Sequence, residues 1–173
     1  MHFPLLPKLN RGGIGRAIAA ALLFGLATPV AKKLLVVLDP WQLAGLLYLG
    51  SGLGLTVYRI ARAHPAVRPK RQELGWLAGA ILAGGVVAPV LLLFGLTRMP
   101  ASGAALLLNM EGVFTALLAA WVFKEHIDRR VAAGMGAIVI GAGVLSWSGD
   151  VSFTGLWPAL AILAACLSWA LDN

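Results

Sequence analysis

The sequence predicts an all-α fold, a polytopic bundle of transmembrane helices, and three observations carry that expectation. Of the 173 residues, 60% are hydrophobic and 12% charged, with a mean hydropathy of +0.86, whereas soluble domains carry about 25% charged residues. The apolar residues fall into six runs of spanning or near-spanning length; roughly 20 residues at 1.5 Å each cross ~30 Å of hydrocarbon. The basic residues collect in short segments between the runs, so the net charge of +7 points to an acidic membrane surface and not to nucleic acid. A multi-pass protein of the cell (inner) membrane is expected.

Residues 1–16 carry Lys8, Arg11 and Arg16 among Pro and Gly residues and are expected as a cytoplasmic tail. The first span is placed at about 17–38. Because apolar sequence resumes beyond Lys32 and Lys33 and more spans follow, a retained helix is expected in preference to a cleaved signal peptide. Asp39-Pro40 marks the turn into a second span at about 41–58, since Pro holds its predecessor in an extended conformation. A basic segment, Arg59 to Glu73, leads to a third span at about 74–96. Thr97-Arg98-Met99-Pro100 turns into a fourth at about 101–122. The short charged loop KEHIDRR, Lys124 to Arg130, makes spans four and five (131–147) an antiparallel hairpin. SGDVSFTG contains no Lys or Arg, and a sixth apolar run begins near Leu156.

With the N-terminus cytoplasmic, eleven Lys and Arg residues fall on the inner side: Lys8, Arg11, Arg16, Arg59, Arg62, Arg68, Lys70, Arg71, Lys124, Arg129 and Arg130. Lys32, Lys33 and Arg98 remain outside or near it. The bias sets that orientation. Gly50 and Gly54, Gly75 and Gly79, and Gly134, Ala137 and Gly141 recur at spacings that line one helix face, where close backbone approach favours helix packing in lipid. Pro29 and Pro89 lie inside apolar runs, where a proline frees a carbonyl and bends a helix. Such interruptions also occur where transporters line a cavity.

No spacing supports an enzyme: there is no HExxH pair, CxxC, GxSxG or Walker loop. No metal and no cofactor are called for. Cys166 is the single cysteine and is expected to act as a small packing residue. His2, His64 and His126 fall in the tail or inner loops.

The fourth span holds the sharpest candidate. Glu111 stands near its midpoint, a depth that costs an acidic residue roughly 2.5–3.5 kcal/mol. At about 100° per residue, Leu106, Met110, Val113, Phe114, Leu117 and Trp121 form a bulky stripe suited to lipid. Ala105, Asn109, Gly112, Ala116 and Ala120 form a small-residue seam, with Asn109 and Gly112 assigned to helix packing alongside Gly134 and Gly141. Glu111 and Thr115 share the remaining face. Glu111 has two readings: a carboxylate on a proton or substrate pathway, or one held by hydrogen bonds to Thr115 or a neighbouring helix. Lys32 lies one turn beyond Thr28, and either snorkels to the interface or meets an anionic substrate or Glu111. Glu125 is read as a local ion-pairing residue of the hairpin. Asp172 and Asn173 lie in the last apolar run.

LLNMEGVFTALLAAWVFKEHIDRRVAAGMGAIVIGAGVL, Leu107 to Leu145, resembles the fourth and fifth helices of the EamA-type transporters of the drug/metabolite transporter superfamily. FGLATPVAKKLL is similar to that family's first helix and DPWQLAGLLYLGSG to the start of its second. The resemblance makes residues 17–147 one five-helix repeat, and 148–173 an outer loop with the opening helix of a second repeat, LAACLSWALDN. Family members are expected to have ten helices in two inverted repeats, so this sequence reads as a truncated first half or as a half-length protein that pairs with a second copy. The resemblance implies alternating-access movement of a small metabolite or xenobiotic, with proton exchange as an option. The rival reading is a non-transporting membrane scaffold or assembly subunit, or an inactive fragment.

Overall fold

The computed structural model describes residues 11–62, 69–147 and 156–172. Lys8 and His2 of the tail, His64 and Arg68 of the basic segment, the loop over 148–155 and Asn173 lie outside the described residues. Among the described residues all regular structure is helical, and four helices are long and apolar enough to cross a bilayer.

Helix α1 runs Arg11–Leu34, beginning ahead of the expected Ala17. Gly12, Gly13 and Gly15 lie within it. A helical glycine costs roughly 1 kcal/mol, less than the several kcal/mol of an unbonded backbone group in lipid. After Lys33 the chain closes in tight turns, with the Val37 amide on the Leu34 carbonyl at 3.0 Å. Asp39 is extended (φ −69°, ψ 146°), as its proline requires, and caps α2, Pro40–Ala61. Its carboxylate accepts from the Trp41 amide at 2.9 Å, and its own amide donates to Gln42 Oε1 at 3.4 Å, a reciprocal cap of about 1 kcal/mol.

Helix α3, Leu74–Arg98, is not uniform. Residues Ile81–Val87 form a π-helical turn just before Pro89. Helix α4, Ala101–Val122, is interrupted at Asn109. There the side-chain amide donates to the carbonyls of Ala105 (3.0 Å) and Leu106 (3.2 Å), competing with the backbone ladder of its own helix. The hairpin loop turns through Lys124, whose φ of 55° is left-handed, and Asp128 accepts from the Ala132 amide at 3.0 Å. Helix α5 is Arg129–Trp147 and α6 is Leu156–Asp172.

The sixth run is the centre of the packing. Helix α6 makes its most extensive contact with α3 and also meets α4. Its Pro158, Ala161, Ile162, Ala165, Cys166 and Ala170 are buried. Ile162 and Cys166 join Leu43, Leu96 and Met99 as the largest fully buried side chains. Gly95 makes the approach feasible, because a Cβ there would stand 2.9 Å from the Pro158 carbonyl oxygen and 2.6 Å from Ile162 Cγ1.

Outward faces are apolar. Trp76 (87% exposed) and Trp121 (82%) stand at one end of the bundle, and Trp41 and Trp157 at the other. That is the two-belt arrangement of amphipathic aromatics at membrane interfaces.

Candidate substrate cavity

Helices α1, α2, α3, α4 and α6 line a partly open cavity of about 380 Å³. Its wall is mostly aliphatic, with Leu34, Leu47, Leu92, Leu93, Leu96 and Leu108 prominent; Thr28, Tyr48, Ser51 and Trp169 are the lining residues whose side chains carry a polar group. Thr28 is 7% exposed. An apolar chamber with a few placed polar groups is the usual form of a small-molecule site.

Prolines set two of its polar features. In the π-helical turn the Ala88 amide donates to Ala83, five residues back. The next bond in that register would run from residue 89 to the Gly84 carbonyl, but residue 89 is proline and has no N–H. The orphaned Gly84 oxygen instead accepts from Trp169 Nε1 at 3.0 Å and from the Tyr48 hydroxyl at 3.3 Å. One carbonyl thus ties α2, α3 and α6 together and fixes the orientation of two rings that line the cavity. Gly84 is buried, and a side chain there would run into the Asp172 carboxylate.

The same logic places Lys32. The Leu96 carbonyl would be bonded by the amide of residue 100, which is also proline. The Lys32 ammonium donates to it at 2.5 Å and to the Thr97 carbonyl at 3.1 Å. A cation at the last carbonyls of α3 also meets the negative end of the helix dipole. Lys32→Met is expected to lower stability by about 2 kcal/mol, the value of a charged hydrogen bond whose partner is then left bare. Lys32→Arg should recover most of it. Denaturant midpoints in detergent check both.

The residues singled out from sequence fall in different places. Thr28 lines the cavity, and Lys32 clamps α1 to the end of α3 beside it. Glu111 and Thr115 are half-buried on α4 and are not among the lining residues. Around Cβ positions built on Gly112, Gly134 and Gly141 there is nothing within 4 Å, while Gly84 and Gly95 are crowded. Cys166, 0% exposed, directs its thiol to the carbonyls of Leu107 (3.5 Å) and Leu108 (3.9 Å), next to the break in α4. Tyr48, Ser51 and Trp169 were missed. Pro89 was the one visible signal, and it points to Tyr48 and Trp169 only once the π register names Gly84 as its orphan.

Residues 11–147 match the EamA-like transporter family. The chain is 28% identical to an "Uncharacterized transporter" of Methanothermobacter thermautotrophicus, over 90% of this chain and 50% of that protein. It is 33% identical to a "Probable amino-acid metabolite efflux pump" of Salmonella typhimurium, over 91% and 50% respectively. It is also 33% identical to a "Probable terminal-alkyne amino-acid exporter" of Streptantibioticus cattleyicolor, over 72% and 43%. The chain spans about half the length of these curated relatives. No solved structure matches.

Proposed function

The chain belongs to the EamA-like transporter family, and from that premise we propose that it carries a small amino-acid-like metabolite out of the cell through the cavity among α1, α2, α3, α4 and α6. The observation that carries this reading is the cavity itself, aliphatic along its wall and polar at Thr28, Tyr48, Ser51 and Trp169. Such a wall suits a solute with an apolar body and one polar end. The substrate class draws on relatives named for amino-acid metabolite efflux and terminal-alkyne amino-acid export. The N-terminus lies in the cytoplasm, α5 is the fifth span, and α6 opens a second repeat. A second such unit closes the cavity's open side, in keeping with relatives about twice as long. The two units then expose it alternately to either face of the cell membrane.

Proton exchange at Glu111 is favoured by one observation: a half-buried carboxylate in the interior of a membrane-spanning helix. Flux of L-phenylalanine is measured in vesicles with and without a pH gradient. The protein is expected to raise flux above that of protein-free vesicles, and the gradient to raise it further. Glu111→Gln should lose the response to the gradient and keep downhill flux. Absence of flux for any apolar amino acid would contradict the transport reading; an unchanged gradient response in Glu111→Gln would contradict the coupling.

A further inference from the structure

Among the described residues Thr28 is the buried side chain that carries a hydroxyl, 7% exposed, and it lines the cavity. A helical threonine ordinarily turns its hydroxyl to a carbonyl of the preceding turn. Thr56 does so to Gly52 and Thr97 to Phe94, both at 2.7 Å. Thr28 makes no such bond among the described residues. No buried side-chain oxygen or nitrogen among them lacks a partner, so the unbonded Thr28 hydroxyl is one that the chamber reaches. Tyr48 and Trp169, by contrast, have given their polar hydrogens to the Gly84 oxygen.

Charge near Thr28 is positive. Helix α1 carries no acidic residue, and Lys32 follows Thr28 by four positions, on the same face and about 6 Å along the axis. Its ammonium donates to the carbonyl of Leu96, itself a lining residue, and to that of Thr97. An ammonium has three N–H donors, and this clamp uses two. The lining residues themselves are uncharged. The Asp172 carboxylate lies against Gly84, twelve residues before Leu96 on α3 or about 18 Å away, so the field at the Thr28 end is that of Lys32.

We propose that the Thr28 hydroxyl, with the Lys32 ammonium one turn further on, seats the carboxylate end of the transported solute, whose apolar body lies along the aliphatic wall. The proposal rests on the transport reading and names the end of the solute that is recognised and the side chain that reads it. A carboxylate taken out of water needs a hydrogen bond and an opposite charge to offset its lost hydration. Thr28 donates the one and Lys32 supplies the other. An ammonium end in the same place would meet like charge.

Two probes with one apolar body test the assignment: 3-phenylpropanoate and 3-phenylpropylamine, ionised with opposite sign at neutral pH. Binding to the full chain in detergent is followed calorimetrically. The carboxylate is expected to bind roughly tenfold tighter than the amine. Thr28→Val keeps the branched shape and removes the hydroxyl; it should weaken the carboxylate roughly tenfold, the scale of one hydrogen bond to a charged group, and leave the amine within about twofold. Thr28→Ser should keep most of the parent affinity. An amine that binds the unmodified chain as tightly as the carboxylate, or a carboxylate affinity that Thr28→Val leaves unchanged, would overturn the proposal. The first comparison needs no variant, so it decides even if Thr28→Val does not fold. Vesicle flux keeps the two readings apart. Flux of L-phenylalanine that excess 3-phenylpropanoate does not inhibit leaves transport standing and overturns the seat. Carboxylate binding that depends on Thr28, without flux of L-phenylalanine, supports the seat and contradicts transport.

Discussion

Gly95→Ala is expected to destabilise the bundle by about 2–3 kcal/mol, the cost of overpacking a tight contact, and to loosen α6 from α3. The added methyl would stand 2.6 Å from Ile162 Cγ1 and 2.9 Å from the Pro158 carbonyl oxygen. A side-chain methyl can swing aside, but a backbone oxygen moves only if the helix moves. Because α3 and α6 share the largest helix–helix contact among the described residues, and Leu96, Ile162 and Cys166 are fully buried near it, a shift there is expected to reach the Trp169 bond on Gly84. The control is Gly112→Ala, at a site with nothing within 4 Å, which should be neutral or slightly stabilising through helix propensity. Unfolding midpoints in detergent, with alkylation of Cys166 as a local probe of α6, check the pair. Cys166 should react slowly in the parent chain and faster in Gly95→Ala.

Pro89→Ala is expected to separate stability from function. Restoring an N–H at position 89 gives the Gly84 carbonyl, or its neighbour, a donor within α3, so the π-helical turn can relax towards α-helix and the helix gains stability. The Tyr48 hydroxyl and Trp169 indole then compete for a carbonyl that is already bonded, and the rings at one end of the cavity lose their fixed orientation. Solute flux should fall by roughly tenfold, as expected when a positioning group is lost from a binding site, while the denaturation midpoint holds or rises. Flux equal to that of the parent chain would show that the Gly84 junction does not shape the route.

The spans were legible because hydropathy and charge report where a segment resides. Runs placed at 41–58, 74–96 and 101–122 correspond to Pro40–Ala61, Leu74–Arg98 and Ala101–Val122, and Asp39-Pro40 marked the turn into the first of these. Packing partners were not legible. Between helices in lipid there is little hydrophobic drive, so association depends on shape, and a helical wheel cannot say which small-residue face meets a neighbour. Sequence spacing assigns Gly112, Gly134 and Gly141 to packing and does not single out Gly84 or Gly95, yet among the described residues the latter two are the crowded ones. Depth and isolation drew attention to Glu111. Tyr48 and Trp169 drew none, because aromatic residues in apolar runs are commonplace and their significance depends on a carbonyl freed by a proline in another helix. The central place of α6 was hidden for the same reason: LAACLSWALDN is one more apolar run until its small residues Ala161, Ala165 and Cys166 are seen against α3 and α4.

The central claim is that a solute passes through the cavity bounded by α1, α2, α3, α4 and α6. Because Cys166 is the only cysteine, a Cys166→Ala background makes any other position a unique thiol. In that background Ser51→Cys places the thiol on the cavity wall, and Leu53→Cys places one on an exposed apolar face of the same helix. The account predicts that a water-soluble methanethiosulfonate labels Ser51→Cys and not Leu53→Cys, and that a transported amino acid slows the labelling at saturating concentration. No labelling at Ser51→Cys, or labelling that the transported solute leaves unchanged, would contradict it.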